Sequence, residues 1–490
     1  MVGALGSQRR SLAALIVVAG ALALLTFTVL TTPSRKSVAL LLMIALAALV
    51  AQSSLRIVSW RSLIVSVIVV IFAIPIRRYT LPASLPIELE PYRLLVFLIA
   101  AGWFASLLVD PRVRFRRSGF EGPIAVFVIA VLGSFVMNAG RLSSLSPIVS
   151  KRVLFFLSFL IVFFLIVSTV TLARDVAFLS AVLVASASVV GFLTLLEART
   201  GVNAFSHIQS IIPVLRPLPF IAEGVATDNR GGGVRAFGSA QHPIAMSAVF
   251  IMLLPLAAVL VRTRGKMWLI ACALLVLGAV STLSRTGISM LVMEIGVLAW
   301  LRPRHVLRLW PAVIPAVVLI HVAVPGSLGT MLKSFFPAGG LAAQQADTQV
   351  GSGRLATLMP ALRKEFYPDP LLGEGFGTRV TGREEVVPQN APITDNQWLA
   401  TLLETGLVGA GALSWLFLRF VRRLGRAAKD DDSPEGWLLA AFTAGVAGFA
   451  FGMLTYDAFA FIQVTLVMFI LLGLGSALMR AVHPPTARPV

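Results

Sequence analysis

Two carboxylates and an amide mark the start of an apolar segment late in the chain, in the stretch TDNQWLATLLETGLVG. Asp395 and Asn396 lie where a polar loop meets the apolar run, and Glu404 follows nine residues after Asp395. Acidic groups at the mouth and inside of an apolar helix are costly to bury, which predicts a catalytic site. A plainer interpretation stays open, because Asp395 is also a good helix N-cap and a cap needs no catalytic purpose.

Two glycines follow Glu404 in the same stretch. Gly406 and Gly409 have the spacing of small residues between packed membrane helices, so we expect another segment to approach the backbone there. Asn396, Gly406 and Gly409 are therefore interpreted as supporting residues of the predicted site.

Three arginines beside small residues predict an anion site: Arg235, Arg285 and Arg354. A guanidinium group offers paired donors that match phosphate oxygens, and it keeps its charge when partly desolvated. Each arginine taken alone is equally typical of headgroup contact or snorkelling. If the three converge, they predict binding of a lipid-linked pyrophosphate, supported by Ser284 in the abrupt turn before Arg285.

Other titratable residues have competing interpretations. His242 starts an apolar run and is a candidate base, although a histidine in that position more often caps a helix or faces water. Glu294 lies in mid-span and requires a partner, and Arg285 is too far along the same helix to provide one. Asp457 is also typical of a simple turn residue. The candidate catalytic residues are Asp395, Glu404 and His242.

The composition is that of a polytopic membrane protein. Hydrophobic residues make up 57% of the 490 residues and charged residues only 13%, whereas a soluble domain has about a quarter charged residues. Cys272 is the single cysteine, which excludes an intramolecular disulfide and most thiolate metal sites. The five histidines form no ligand-spaced cluster, so we expect no metal and no cofactor. The net charge of +19 is attributed to cytoplasmic loops and anionic lipids or substrates, not to nucleic acid.

The apolar runs predict an all-α bundle of about twelve to fourteen transmembrane helices. The runs are 11–31, 37–51, 62–76, 92–109, 121–138, 152–170, 176–196, 243–261, 267–283, 286–301, 307–325, 397–420, 436–456 and 458–479. The first follows two arginines and has no persuasive cleavage site, so we expect an uncleaved anchor.

The runs divide the chain into alternating membrane and loop regions. Seven N-terminal spans occupy 1–196, a loop 197–242, four spans 243–325, a larger loop 326–396, the C-terminal spans 397–479, and a tail 480–490. Lysine and arginine are more frequent in the short loops on the side of the two termini, which places both long loops outside the cytoplasm. The larger loop also contains an amphipathic pattern from Leu355 to Phe366, which predicts a helix that lies on the membrane or caps the bundle.

The motifs between about 230 and 410 resemble the O-antigen ligase and Wzy-type polymerase superfamily of integral membrane glycan-transferring enzymes. Each motif is weak alone, whereas their order and spacing are more specific. Ligases of this superfamily typically have His-Asn where this chain has Asp395-Asn396. This difference favours a polymerase over a ligase. The matching residues are Arg235 with Phe237-Gly238-Ser239 and His242-Pro243, then Thr282-Leu283-Ser284-Arg285-Thr286-Gly287, Gly353-Arg354, DPLLGEGFG from Asp369, Asp395-Asn396 and ETGLVG from Glu404.

The resemblance implies a GT-C-like helical bundle in a bacterial inner membrane, with a large extracytoplasmic loop carrying short helices. It implies metal-independent transfer of a glycan from undecaprenyl pyrophosphate, held by Arg235, Arg285 and Arg354, to an acceptor hydroxyl. Asp395 then accepts the proton, or only orients the acceptor while His242 or Glu404 takes the proton. The implied partners are the lipid-linked donor, a glycan or lipid acceptor, membrane lipids and a chain-length copolymerase.

Three functions are compatible with this pattern. The first is a polymerase that joins lipid-linked repeat units of O-antigen, capsule or exopolysaccharide, and the second is a ligase that moves a finished glycan to lipid A-core or another acceptor. The third is a transporter or flippase of lipid-linked oligosaccharides. Against the third stand the missing internal repeat and the one-sided placement of the polar motifs.

Overall fold

The computed structural model describes residues 59–82, 89–109, 113–218, 229–230, 233–308, 310–335, 358–359, 361–379 and 395–483. The predicted spans 11–31 and 37–51, and Arg354, lie outside the described residues.

Helices form most of the described chain. They are α1 Trp60–Ala73, α2 Pro91–Val109, α3 Glu121–Met137, α4 Ala139–Ser144, α5 Ser146–Thr169, α6 Ala173–Thr200, α7 Ile208–Ile211, α8 Pro243–Arg264, α9 Trp268–Ser281, α10 Arg285–Leu301, α11 Pro303–Arg308, α12 Val313–Ala323, α13 Ser327–Phe335, α14 Gln397–Lys429, α15 Pro434–Gly452 and α16 Ile462–Val482. Short 3-10 turns occupy Ala204–His207, Trp310–Ala312 and Ala458–Ala460, and a π-helix occupies Leu362–Phe366. Two-residue antiparallel pairs join Tyr79–Thr80 to Arg216–Pro217 and Asn229–Arg230 to Gly233–Val234.

Helix α16 forms the centre of the bundle. Its apolar window is 94% buried within the protein, and it packs against α5, α6 and α15. Helix α8 lies against α6, α9, α10 and α15, while α14 packs against α3 and α15. The outer helices expose large apolar side chains such as Leu108 and Val136, as expected of surfaces that face lipid.

The structure confirms the predicted polytopic helical bundle. Among the described residues, seven helices are long and apolar enough to cross a membrane: α2, α5, α6, α8, α14, α15 and α16. The predicted run 307–325 is not one helix but α11, a 3-10 turn and α12. Pro311, in the 3-10 turn, lacks the amide hydrogen that a continuous helix would donate to residue 307, which accounts for this division. The total number of spans and their membrane sides remain predictions.

The predicted amphipathic loop helix is described only from residue 358. There, Leu358, Leu362 and Phe366 pack on Leu399 and Leu403 of α14. The described part of this segment therefore caps the bundle.

Helix α14 is interrupted at Gly406, and a loop segment fills the interruption. Residues Leu407 and Val408 donate their amide hydrogens to the carbonyl oxygens of Pro370 (2.8 Å) and Leu371 (3.3 Å) instead of to the preceding helical turn. The carbonyls of Leu403 and Glu404, which a regular helix would pair with those amides, accept from Glu374 (2.9 Å) and Gly375 (3.1 Å). We call residues 370–375 the strap, because they replace two helical hydrogen bonds with four bonds between segments.

The strap depends on glycine at Gly406. Its backbone (φ 64°, ψ −164°) lies in a region that is almost restricted to glycine, and a Cβ there would overlap the Leu371 backbone. The segment that approaches Gly406 is therefore a loop. At Gly409, a Cβ would overlap the side chain of Thr405 in its own helix.

Replacement of Gly406 by alanine should destabilise the protein by at least about 1–3 kcal/mol, the cost of a non-glycine residue in this backbone region. Gly411→Ala is the matched control, since that glycine lies in the same helix with open space around its Cβ position and alanine favours helix. The measurement is the thermal unfolding midpoint in detergent. Equal midpoints for the two variants would contradict the strap geometry.

Candidate functional site

The turn between α15 and α16, residues 453–461, contacts several of the segments that carry predicted site residues. The hydroxyl of Thr455 lies 2.8 Å from that of Thr286, next to Arg285. The Phe461 ring stacks on His242 with 5.7 Å between ring centroids. This 453–461 turn therefore defines the site end of the bundle.

The start of α14 is fixed to the same turn. The Asn396 amide donates to Asp457 Oδ1 (3.1 Å). The backbone amide of Gln397 donates to the carbonyls of Met453 (2.8 Å) and Tyr456 (3.1 Å). The side-chain oxygen of Gln397 accepts a hydrogen bond from the Phe459 amide (2.8 Å). Asp457 is thus more than a turn residue, because it positions the predicted Asp-Asn pair.

The residue that caps α14 is Asn396, whose side-chain oxygen accepts from the Leu399 amide (3.1 Å). The plainer interpretation of Asp395 as the cap is therefore wrong. Asp395 precedes the cap with a left-handed backbone (φ 44°) and is half-buried.

His242 is the N-cap of α8. Its Nδ1 accepts from the Ile244 amide (3.1 Å), so the proton of the neutral ring is on Nε2. A histidine in this arrangement donates a hydrogen bond through Nε2. Accepting a proton would require Nδ1 to give up the cap, which argues against His242 as the general base.

Arg235 and Arg285 meet at the turn between α9 and α10. The buried Arg235 directs Nε towards the Thr282 carbonyl (3.4 Å), and the next amide, of Ala236, donates to Ser281 (3.2 Å). Helix α10 begins three residues later at Arg285, after Ser284 in the cap position. The structure therefore brings these two predicted phosphate ligands to one turn.

Arg78 holds the 235–242 loop that carries Arg235 and His242. Its guanidinium donates to the carbonyls of Gly238 (3.1 Å) and Ala240 and lies 4.3 Å from the centroid of the Phe237 ring. Burial lowers the pKa of Arg78 to about 10, so the side chain remains charged at neutral pH. Arg78 carried no signal in the sequence, because its two hydrogen bonds to this loop span 160 and 162 residues of the chain.

Glu197, at the end of α6, supports the same loop from the other side. Its carboxylate accepts from the amides of Phe237 (3.3 Å) and Gly238 (2.9 Å) and balances the charge of Arg78. Asn203 adds a hydrogen bond to the Gly238 carbonyl (3.1 Å). A carboxylate at the end of an apolar run was the only sequence signal for Glu197.

Glu404 is enclosed beneath the strap. Its Oε1 accepts from the Arg379 amide (3.3 Å), and the Arg379 guanidinium forms a buried ion pair with Glu365. Burial lowers the pKa of Arg379, whereas the carboxylates of Glu404 and Asp457 act in the opposite direction. Glu404 is therefore part of a charged network next to the strap. Neither Arg379 nor Glu365 carried a signal in the sequence.

Glu294 is separate from this arrangement. Its side chain is buried, with Oε1 at 2.5 Å from the position that a Cβ of Gly448 would occupy. Among the described residues its two carboxylate oxygens have no hydrogen-bond partner. The partner that the sequence led us to expect is therefore not found in this part of the chain.

The fold and the site together define a polytopic membrane protein with cationic and acidic side chains gathered at one end of a helical bundle. Residues 270–414 match the family model described as O-antigen ligase, a family of glycan transferases that includes ligases and polymerases. This match confirms the resemblance to the O-antigen ligase and Wzy-type superfamily. No curated protein matches the chain. The matched region includes Arg285, Arg379, Asp395 and Glu404, whereas Arg235 and His242 precede it and Asp457 follows it.

Substitution Arg78→Met should destabilise the protein by about 1–3 kcal/mol, because the buried carbonyls of Gly238 and Ala240 lose their hydrogen-bond donor. Arg61→Met is the matched control. Like Arg78, Arg61 lies over an aromatic ring, that of Phe178, and it pairs with the Asp175 carboxylate (3.1 Å), but its side chain is 48% exposed. The control should change stability by about 1 kcal/mol or less. Thermal unfolding, with hydrogen exchange in the 235–242 loop, measures both effects. Similar small shifts in both variants would contradict the role of Arg78 in holding the 235–242 loop.

Proposed function

We propose that this protein transfers a glycan from a polyprenyl pyrophosphate carrier to an acceptor hydroxyl at the site end of the bundle. The observation that carries the proposal is the position of Arg235 and Arg285 at one turn, beside the 453–461 turn and His242. Guanidinium groups pair with phosphate oxygens and stabilise the charge that develops on a leaving pyrophosphate. Arg354, outside the described residues, is proposed as a third ligand from the sequence.

We propose a separate role in the reaction for each of Asp395, His242 and Glu404. Asp395 is proposed as the general base, since Asn396 has the capping role and Asp457 fixes the position of the pair. His242 is proposed as a hydrogen-bond donor to the phosphate through Nε2. Glu404 is proposed as a positioning residue, because the strap encloses it. These roles require no metal ion.

Within this class we propose a polymerase that joins lipid-linked repeat units, because Asp395-Asn396 replaces the His-Asn pair typical of the ligases. A ligase is the second candidate, and the description of the matching family model favours it. The two reactions share a donor site and differ in the acceptor. Both assignments imply a site that faces away from the cytoplasm.

Arg285→Ala and Arg235→Ala should each lower glycan transfer by about 10²–10³-fold, the usual effect of removing one group that stabilises transition-state charge. The assay uses purified protein in lipid, a synthetic undecaprenyl-pyrophosphate-linked repeat unit and a chelator, with products resolved by size. Arg264→Ala, an exposed arginine at the opposite end of α8, is the control and should keep full activity.

The products distinguish the candidate functions. A ladder of multiples that depends on the two arginines supports a polymerase, whereas one fixed-size product seen only with added lipid A-core establishes a ligase. Movement of labelled donor between leaflets without a new glycosidic bond would refute the enzyme and assign the arginines to a transport path.

His242→Asn should retain measurable transfer, because asparagine is also a good N-cap and supplies a side-chain N–H donor. Asp395→Asn keeps the size of the side chain but removes the proposed base, and should lower transfer by about 10²–10⁴-fold. The rate of transfer as a function of pH checks both variants. Complete loss in His242→Asn together with normal rates in Asp395→Asn would reverse the assignment.

A further inference from the structure

Five arginines gather at the end of the bundle opposite the 453–461 turn. We call them the arginine cluster: Arg116, Arg117, Arg419, Arg423 and Arg480. Arg419 and Arg423 of α14 both donate to the Gly119 carbonyl, at 2.9 and 3.5 Å. Arg480 of α16 donates to the carbonyl of Arg117 (3.3 Å) and to those of Val167 (2.7 Å) and Val170 (3.0 Å). Arg116 lies within electrostatic range of Arg480.

Within the described ranges, the charge of the arginine cluster is not matched by carboxylates. Glu121 is the carboxylate within electrostatic range of Arg480, and its oxygens already accept from the Ser118 amide and hydroxyl and from the Gly119 amide. No ion pair joins a cluster arginine to a carboxylate anywhere in the described ranges. Several guanidinium groups held together on backbone carbonyls repel one another unless an anion is present.

One donor in the cluster is buried and unsatisfied. Within the described part of the chain, Arg116 Nε has no hydrogen-bond partner. Buried polar groups in folded proteins nearly always find a partner, so this donor leaves a bonding position open. Because Nε of Arg302, at the same end, is also without a partner among the described residues, it is the missing ion pair that indicates an anion.

Arg302, at the same end of the bundle, differs from the cluster arginines because its charge is paired with a carboxylate. Arg302 donates to the carbonyls of Lys429 (3.0 Å) and Asp431 and pairs with the Asp432 carboxylate (3.1 Å). Its charge is thus neutralised by the chain itself. Among the described residues, no carboxylate forms such an ion pair with the arginine cluster.

The apolar surface beside the cluster indicates which anion fits. Trp415 lies one helical turn before Arg419, is 43% exposed, and places its ring 3.2 Å from the Cβ position of Gly122 on α3. Phe115, next to Arg116, is also exposed. Exposed aromatic rings beside arginines mark the level of lipid headgroups in membrane proteins. A ligand here can place a phosphate on the guanidinium groups and an acyl chain along Trp415.

We propose that the arginine cluster binds the phosphate of an anionic membrane lipid in a defined site between α3, α14 and α16. The site is separate from the proposed transferase site, since Arg423 lies 26 residues after the start of α14, which corresponds to about 39 Å along a helix. The inference therefore does not depend on the proposed function.

The test uses the full chain, delipidated in detergent and titrated with phosphatidylglycerol or phosphatidylcholine under native mass spectrometry. Phosphatidylglycerol should bind at least about tenfold more tightly than phosphatidylcholine, and the double variant Arg419→Gln, Arg423→Gln should weaken phosphatidylglycerol by a similar factor. The matched control is Arg304→Gln, Arg308→Gln, which removes two exposed arginines with the same spacing from α11 at the same end. The control should leave lipid binding unchanged.

A second variant separates binding from folding. Arg116→Gln removes the orphan donor, so it should weaken phosphatidylglycerol binding without lowering the thermal unfolding midpoint. Equal losses in both double variants would overturn the proposal in favour of a general charge effect. Equal affinity for the two lipids, or displacement of the lipid by inorganic phosphate at the same concentration, would also overturn it, the latter by identifying a site for free phosphate.

Discussion

The interruption of α14 is the constraint on which the site end depends. Inside an apolar bundle each backbone amide and carbonyl needs a partner, because water is not there to supply one. The turn at Gly406 separates two amides from the two carbonyls that would normally accept from them, and the strap satisfies all four. The exchange is possible only with glycine at Gly406, and with Gly373 in the strap, where a Cβ would overlap the Leu403 carbonyl.

This exchange links the large loop to the residues proposed for chemistry. The strap places Arg379 against Glu404 and, through charge, near Asp457. Asp457 in turn fixes the amide of Asn396 at the start of α14. The turns of α14 that precede Gly406 are thus positioned by contacts with the strap and with the 453–461 turn. The longer part that follows Gly406 packs as an ordinary helix, and α14 lies against α3 and α15.

The two ends of the bundle differ in whether their arginines have a carboxylate nearby. At the site end, Arg379 pairs with Glu365 and Arg78 lies within electrostatic range of Glu197, so both buried cations have a carboxylate nearby. At the opposite end Arg302 pairs with Asp432, whereas among the described residues the carboxylate near the arginine cluster is Glu121, whose oxygens already accept from its own turn. A transmembrane protein can tolerate such an imbalance where anionic headgroups are within reach.

The sequence by itself determined the helical class, because the length of an apolar run is a local property and each predicted run from 62–76 onward, except 307–325, falls mainly on one helix. It also indicated most of the candidate site residues, whose types are unusual at the ends of apolar runs. Only the tertiary structure decided that Asn396 and not Asp395 caps α14, and that Gly406 interrupts the helix. It alone revealed Arg78, Glu197 and Arg379. Their roles arise from contacts between residues far apart in the chain, which neither periodicity nor local spacing records.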